Sequence, residues 1–339
     1  AGAVRHIAPF RPPCQDGVII SHGYLYWGPW MCGCQLSLYG NIALGPAGDF
    51  SFRPGADASR LETGPGDPTA VKAAPANAGD WPSYRRDNAR SSVTTVTIPR
   101  KVDQLWSFQP PSKGPATAPV MAAGSVFIGH SSGAVYALGA DDGKLRWQAH
   151  TGGAIFFPPA VANGRVYAGS ADGWVYAFAA DTGRRLWRFR VAPAERRIHV
   201  YGRLISTWPV AGGVVVADGT VYAAAGIAHY DGTHVVALDA VTGKPKWYND
   251  SSGTIDPKVQ GGISLQGGMY VDRGKICFNG GNAYGTAYYD PKTGKCAHLD
   301  PYLFLMGEDP DHWHCSLCIG RGLDFRVFLD RAWVQEALA

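Results

Sequence analysis

The chain lacks the usual marks of an active site. No phosphate-cradling loop or H-E-x-x-H occurs in its 339 residues, which removes the common signatures of P-loop enzymes and zincins. The string GHSSG (129–133) that fits G-x-S-x-G falls between two strands of a repeat rather than on the strand-to-helix turn of a hydrolase elbow. Charged residues are only 17% of the sequence, and 31 basic against 27 acidic side chains leave a net charge of +4. No cationic stripe forms, so nucleic acid is not an expected partner. Long hydrophobic runs are missing too. The longest weakly polar run, 211–228, is rich in Gly and Ala and broken by Asp218-Gly219, so no membrane span is expected. With 44 Gly and 24 Pro, long helices have little room.

What the chain has instead is a repeat. Residues 126–147 (VFIGHSSGAVYALGADDGKLRW) and 166–187 (VYAGSADGWVYAFAADTGRRLW) match across forty positions: Gly133 with Gly173, Tyr136 with Tyr176, Asp141 with Asp181, Gly143 with Gly183, Trp147 with Trp187. Residues 221–247 keep the same grammar with a longer first hairpin, and 276–296 form a degenerate copy with Cys296 near the place of the Trp. A fixed period of this size means stacked copies of one supersecondary unit. Each copy holds short runs rich in Val, Tyr, Phe and Ala, punctuated by Gly, Asp, Ser and Asn, which read as strands and hairpins. Asp172-Gly173 suits a two-residue hairpin turn, and the corners 239–244 and 290–295 a wider one with Gly left-handed. Counting a preceding segment such as 118–122 or 159–162, each unit supplies about four strands. The fold expected is all-β: a β-propeller of four-stranded antiparallel blades, as a fragment of, or an incomplete, ring of seven or eight blades.

Four regions follow. Residues 1–45 form a blade-like segment with a cysteine cluster, and 46–80 a Pro/Gly/Ala-rich linker or long surface crossing. Residues 81–298 hold the repeats, with the strand of Trp106 expected to complete another blade across the ring, and 299–339 form an irregular tail. The chain starts at Ala1 without a leader, which fits a removed targeting segment or a piece of a longer chain.

The pattern VYALxAxTGKxxW resembles the pyrroloquinoline-quinone-like propeller repeat, shared by quinoprotein alcohol dehydrogenases and the bacterial outer-membrane assembly lipoprotein. The opening segment DWPSYRRDNARSSVTTVTIPRKVDQLWSF (80–108) is similar to the one that starts these propellers. Cys14 and GPWMCGCQLSLYGNIALGP (28–46) resemble large multi-domain propeller proteins of planctomycete-type bacteria. The resemblance implies a periplasmic, cell-envelope or secreted location. Quinoprotein dehydrogenases also imply an adjacent Cys-Cys disulfide, a calcium site and an Asp base. This chain has Cys32-Gly-Cys34 and no adjacent pair, and its Asp residues fall mostly in repeated turns. Pyrroloquinoline quinone is therefore not expected.

Any chemistry has to lie where the repeat breaks. Cys14, Cys32 and Cys34 read as a disulfide staple of the N-terminal segment, or as a soft-metal or redox site with His6 or His22 adding a nitrogen. Cys277 and Cys296 are candidates for a bridge within one blade. His312, His314, Cys315 and Cys318 offer four potential zinc ligands in seven residues, which is tight for one tetrahedral ion, so a C-x-x-C disulfide or plain thiols is the competing reading. The insertion 194–214 stretches the spacing between closing Trp residues from forty to sixty. There Arg196, Arg197 and Arg203 are placed to clamp a carboxylate or phosphate, and Tyr201 and Trp208 to stack on a planar or sugar ligand. The plainer alternative is solvated arginines and a Trp that seals a seam. The function expected is a non-enzymatic scaffold or binding module, for a protein partner or a carbohydrate or small anionic ligand. The alternative is a redox module or a quinoprotein-like oxidoreductase.

Overall fold

The computed structural model describes residues 18–27, 42–45, 60–73, 75–97, 99–200, 202–227, 232–252, 263–279 and 286–298. Every element described there is a strand. β1 (Ile19–Ser21), β2 (Tyr24–Trp27) and β3 (Ile42–Leu44) make a three-stranded sheet, and β4 (Leu61–Thr63) lies alone in sequence. Four antiparallel blades follow. The first is β5 (Val120–Ala122), β6 (Ser125–Gly129), β7 (Ala134–Gly139) and β8 (Leu145–His150). The second is β9 (Ala160–Ala162), β10 (Arg165–Gly169), β11 (Trp174–Ala179) and β12 (Arg185–Arg190). A hairpin, β13 (Arg197–Val200) and β14 (Arg203–Ser206), stands between the second blade and the third. The third is β15 (Val214–Ala217), β16 (Thr220–Ala225), β17 (His234–Asp239) and β18 (Pro245–Asn249). The fourth is β19 (Gln266–Asp272), β20 (Lys275–Asn279), β21 (Thr286–Tyr289) and β22 (Cys296–His298).

The repeat is built from three turns. The first hairpin of each blade closes on two residues that both have positive φ, at Ala123-Gly124, Asn163-Gly164, Asp218-Gly219 and Arg273-Gly274. That is the turn whose twist matches paired strands. Asp172-Gly173 is not such a turn, contrary to the sequence reading. Its loop runs from Ser170 to Gly173, only Gly173 is left-handed, and Asp172 instead accepts from the Trp174 amide at 3.1 Å. The third turn is the wide corner, where Asp239 Oδ1 accepts from the Thr242 amide and hydroxyl at 2.8 Å and Gly243 is left-handed.

Each corner glycine receives the Trp of the preceding outermost strand. A Cβ on Gly183 would lie 2.6 Å from the Trp147 ring, and Gly243 faces Trp187 and Gly294 faces Trp247 in the same way. The Trp147 Nε1–H donates to the Ala180 carbonyl and that of Trp247 to Pro291, both at 2.9 Å. Trp187 breaks the rule: among the described residues its Nε1 has no partner, and the Ala240 carbonyl accepts from the Tyr167 hydroxyl at 2.9 Å. Middle strands such as β7, β11 and β16 are buried along their whole length, β11 and β16 between blades and β7 partly under Trp106 and Phe108. They therefore read as continuous apolar runs rather than alternating ones.

Two segments outside the blades hold them together. Residues 81–90 cross the inner strands of all four blades: Trp81 pairs with Met121, the Pro82 carbonyl accepts from Val161, Asn88 Nδ2 donates to Val216, and the Asn88 carbonyl accepts from Val271. Arg90 locks this segment by donating to the Met269 and Tyr84 carbonyls while stacking on Tyr84 and Phe157. Burial pushes its guanidinium pKa down to about 10. β4, within the region read as linker, adds antiparallel to β12 as a fifth strand, and Glu62 grips Arg188 with two bonds of 2.8 Å.

The expected bridge between Cys277 and Cys296 does not form. They lie on β20 and β22 with β21 between them, about 9.5 Å across two strand spacings, beyond the roughly 7 Å Cα reach of a disulfide. Counted from the corner, His298 follows Asp290 as Trp247 follows Asp239, so the fourth blade carries no closing Trp there.

Candidate functional site

The end of the ring opposite the first hairpins carries the loops between second and third strands and the 191–213 insertion. The insertion is fastened to the second blade by its backbone. Val191 N donates to the Gly173 carbonyl, Ser206 N to Ala171 and Val210 N to Ser170, at 2.6–3.0 Å. The Arg203 guanidinium donates to the Ser131 carbonyl of the first blade. Beneath it His130 is fully buried, with Nε2 bonded to the Gly114 carbonyl and Nδ1 to the Ser132 hydroxyl. A carbonyl only accepts, so Nε2 carries the proton and Nδ1 accepts from Ser132.

In the hairpin β13–β14 the side chains of β13 alternate, whereas β14 buries both Ile205 and Ser206. Ile198, Val200 and Ile205 face down into an apolar cluster, while Arg197, His199 and Leu204 face out, Leu204 at 60% exposure. Arg196 is half-buried and its carbonyl accepts from Thr207. The three arginines thus share one hairpin. Trp208 does not join them: it is 1% exposed, sealed among the second and third blades, and cannot stack on a ligand. A large apolar ring at this seam gains more from burial than from exposure at the rim. Tyr201, Cys14, Cys32, Cys34, His312, His314, Cys315 and Cys318 lie outside the described residues.

Trp208 meets the edge of His234, with centroids 6.0 Å apart. His234 opens β17 at the position held by Ala134 in β7 and Trp174 in β11. Its Nδ1 pairs with Asp250 at 2.7 Å, while its buried Nε2 has no partner among the described residues. Burial opposes ionisation of Asp250, but the His234 hydrogen bond and the charges of His234 and Arg60 outweigh it and hold the carboxyl below its usual range. The sequence reading missed this pair. A column-by-column comparison of the repeats flags it, since a His stands where the other copies have Ala or Trp. A second buried pair links the Tyr176 hydroxyl to Asp172 at 2.5 Å, with burial and that carboxylate pushing the phenol pKa up. At the other end, a cavity of about 790 Å³ lies under residues 66–82, lined by Asp67, Lys72, Arg146, Asp181 and Arg184 among others.

The radial blades and repeated Trp–Gly seams define a propeller of the pyrroloquinoline-quinone-like repeat class. The chain belongs to the family described as outer membrane protein assembly factor BamB, whose model matches residues 90–200 and 171–300. Among solved structures it is similar to quinohemoprotein alcohol dehydrogenase from Comamonas testosteroni, at 21% identity and TM-score 0.51, covering 66% of this chain and 41% of that one. It is also similar to quinohemoprotein alcohol dehydrogenase ADHIIG from Pseudomonas putida, at 20% identity and TM-score 0.53, covering 67% and 40%. BamB from Moraxella catarrhalis matches at 20% identity and TM-score 0.39, covering 54% and 52%. The chain spans about two fifths of the length of the two dehydrogenases. No curated protein matches it.

The dehydrogenases raise the question of the quinone. Calcium needs several oxygens converging on one point, and a flat tricarboxylate needs a stacking plane. Among the described residues no three His, Cys, Asp or Glu side chains converge, and Trp208 presents no free face. The described residues thus offer the cofactor no such carboxylate cluster and no open Trp208 face. Among them, too, no helix is long and apolar enough to cross a membrane.

Proposed function

We propose that this chain is a non-enzymatic propeller scaffold of the bacterial periplasm or cell envelope, which holds a protein partner at the end bearing the insertion. The observation that carries this is the β13–β14 hairpin. It stands outside every blade and presents Arg197, His199 and Leu204 outward from a buried apolar base. Binding residues concentrate on loops held by a rigid scaffold, and Arg is enriched at protein interfaces. The family description, an outer membrane protein assembly factor, supports the same reading. A carbohydrate or small anionic ligand at Arg196, Arg197 and Arg203 is the lesser form, since Arg203 is already engaged by Ser131.

The test is photo-crosslinking from position 199 in a bacterial envelope fraction, with and without Leu204→Asp and Arg197→Glu. The expected result is a discrete adduct that the double variant loses while its circular dichroism is unchanged. Equal adducts from both proteins would remove the proposal. An oxidoreductase is the second reading, favoured by the Nε2 of His234, unpartnered among the described residues, beside Asp250. No absorbance change on adding quinone and calcium would eliminate it.

A further inference from the structure

The sheet β1–β2–β3 copies the inner three strands of a blade, position by position. In β1–β2 the pairs are Ile19 with Tyr26, Ile20 with Leu25 and Ser21 with Tyr24. In the first blade they are Val120 with Phe127, Met121 with Val126 and Ala122 with Ser125. β2–β3 sets Leu25 against Leu44 and Tyr26 against Ala43, as β6–β7 sets Val126 against Leu138 and Phe127 against Ala137. The hairpin turn agrees as well. His22 and Gly23 have φ of 51° and 77°, the pair of positive values found at Ala123-Gly124 and in every other blade. The two-residue turn fixes the β1–β2 register by itself, so the likeness rests on the turn shared with every blade and on Ala43 and Leu44 standing where Ala137 and Leu138 stand.

What this sheet lacks is an outermost strand with its Trp, and one such strand stands without a blade. The Trp106 ring lies against Gly143 and its Nε1–H donates to the Ala140 carbonyl at 2.9 Å, the contact Trp147 makes with Gly183 and Ala180. Among the described residues the segment around Trp106 pairs with no strand, and its neighbours Val102 and Leu105 are 75% and 82% exposed. The first blade registers the same gap. Val126 and Ile128 are half-buried, whereas their counterparts Val166 and Ala168 in the second blade are fully covered by the first. On the sheet side Ile19 is 68% exposed. In the structure the sheet touches the rest of the chain through Leu25 and Leu44, against the cluster under the insertion.

We infer that β1–β2–β3 and the Trp106 strand are the two parts of a fifth blade, split by the insertion of residues 45–104 between its third and fourth strands. Its seat is the face of the first blade carrying Val126, Ile128, Tyr136 and Leu138. There Ala43 opposes Trp106, as Ala137, Ala177 and Ala237 oppose Trp147, Trp187 and Trp247. The occupant of that face is this chain's own sheet. The inference does not depend on the scaffold reading, since it concerns ring assembly alone.

The register predicts Ile42 opposite Ser107, by analogy with Tyr136 and Gln148. The test is the Ile42→Cys/Ser107→Cys variant of the full chain, oxidised mildly and mapped by peptide mass spectrometry to separate the new bond from native cysteines. Facing residues in adjacent strands are within disulfide reach. The expected result is a bond joining these two positions in a monomer. The same bond found only in a dimer would give the seat to a second copy, and no bond in a natively folded variant would leave the two parts unrelated; either result overturns the inference. Hydrogen exchange on the unaltered protein provides a check independent of the substitutions. Ser107 and Phe108 amides as protected as those of Gln148 and Ala149 are expected, and exchange at the unstructured rate overturns the inference.

Discussion

Replacing Gly183 with Ala tests the seam that orders the blades. Gly183 has φ of +69°, and a Cβ there would lie 2.6 Å from Cδ2 and Cε3 of Trp147. Two costs follow. A non-glycine residue in the left-handed region loses about 1–2 kcal/mol, and overpacking a buried ring loses about 1–3 kcal/mol. Together Gly183→Ala is expected to destabilise by about 2–5 kcal/mol, and Trp147→Ala alone by about 3–5 kcal/mol through its cavity. In the Trp147→Ala background the steric cost vanishes and the backbone cost stays. The double variant should therefore be more stable than the sum of the singles by about 1–3 kcal/mol. Urea denaturation followed by both Trp fluorescence and circular dichroism measures this, coincident transitions confirming that one free energy applies. Additivity within about 0.5 kcal/mol would refute the contact.

Other outcomes follow from single contacts. Arg90→Met removes a buried guanidinium that binds two carbonyls, and should cost about 2–4 kcal/mol by the same denaturation assay, since hydrogen bonds to charged groups contribute about 1.5–3 kcal/mol. Arg203→Ala should release the insertion from Ser131, read as faster proteolysis within residues 197–206 at little change in global stability. The Asp250 carboxyl titrates lower in the folded than in the unfolded chain, so its stabilisation is present above an unfolded pKa of about 4 and is lost as pH falls through the lower folded value. Asp250→Asn should flatten the acid limb below about pH 4, leaving stability near neutrality less dependent on acidification. Burial raises the Cys296 thiol to about 11, only partly offset by its Tyr289 hydrogen bond, so its alkylation should stay slow until the pH approaches that value.

The blades were legible because their constraints are local. Gly143, Gly183 and Gly243 stand at left-handed corners, each at the same short spacing before the Trp of its own blade, so the repeat marks both partners of the seam although each Trp packs on the next corner along. The turn at Asp172 was misread because dipeptide chemistry does not reveal how many residues a loop spends before Gly173. Trp208 could be read from sequence either as a stacking ring or as the seal of a seam, and only its burial among the second and third blades decides for the seal. β4 was hidden since a three-residue strand has no period of its own, and its identity comes from β12, more than a hundred residues downstream. His234 with Asp250 is a spatial pair, sixteen residues apart in sequence and joined only when β17 and β18 lie side by side.

The segment 81–90 has a consequence of a different kind. It pairs with one inner strand of each blade and belongs to none, reaching from Met121 to Met269. In this sense the blades form a receptor and the chain supplies its own peptide ligand. A chain cut by protease between residues 91 and 104 should then remain a two-part complex. A synthetic peptide of residues 78–92 added to a chain lacking that stretch should restore cooperative unfolding in a dose-dependent way, as any ligand that binds only the native state does.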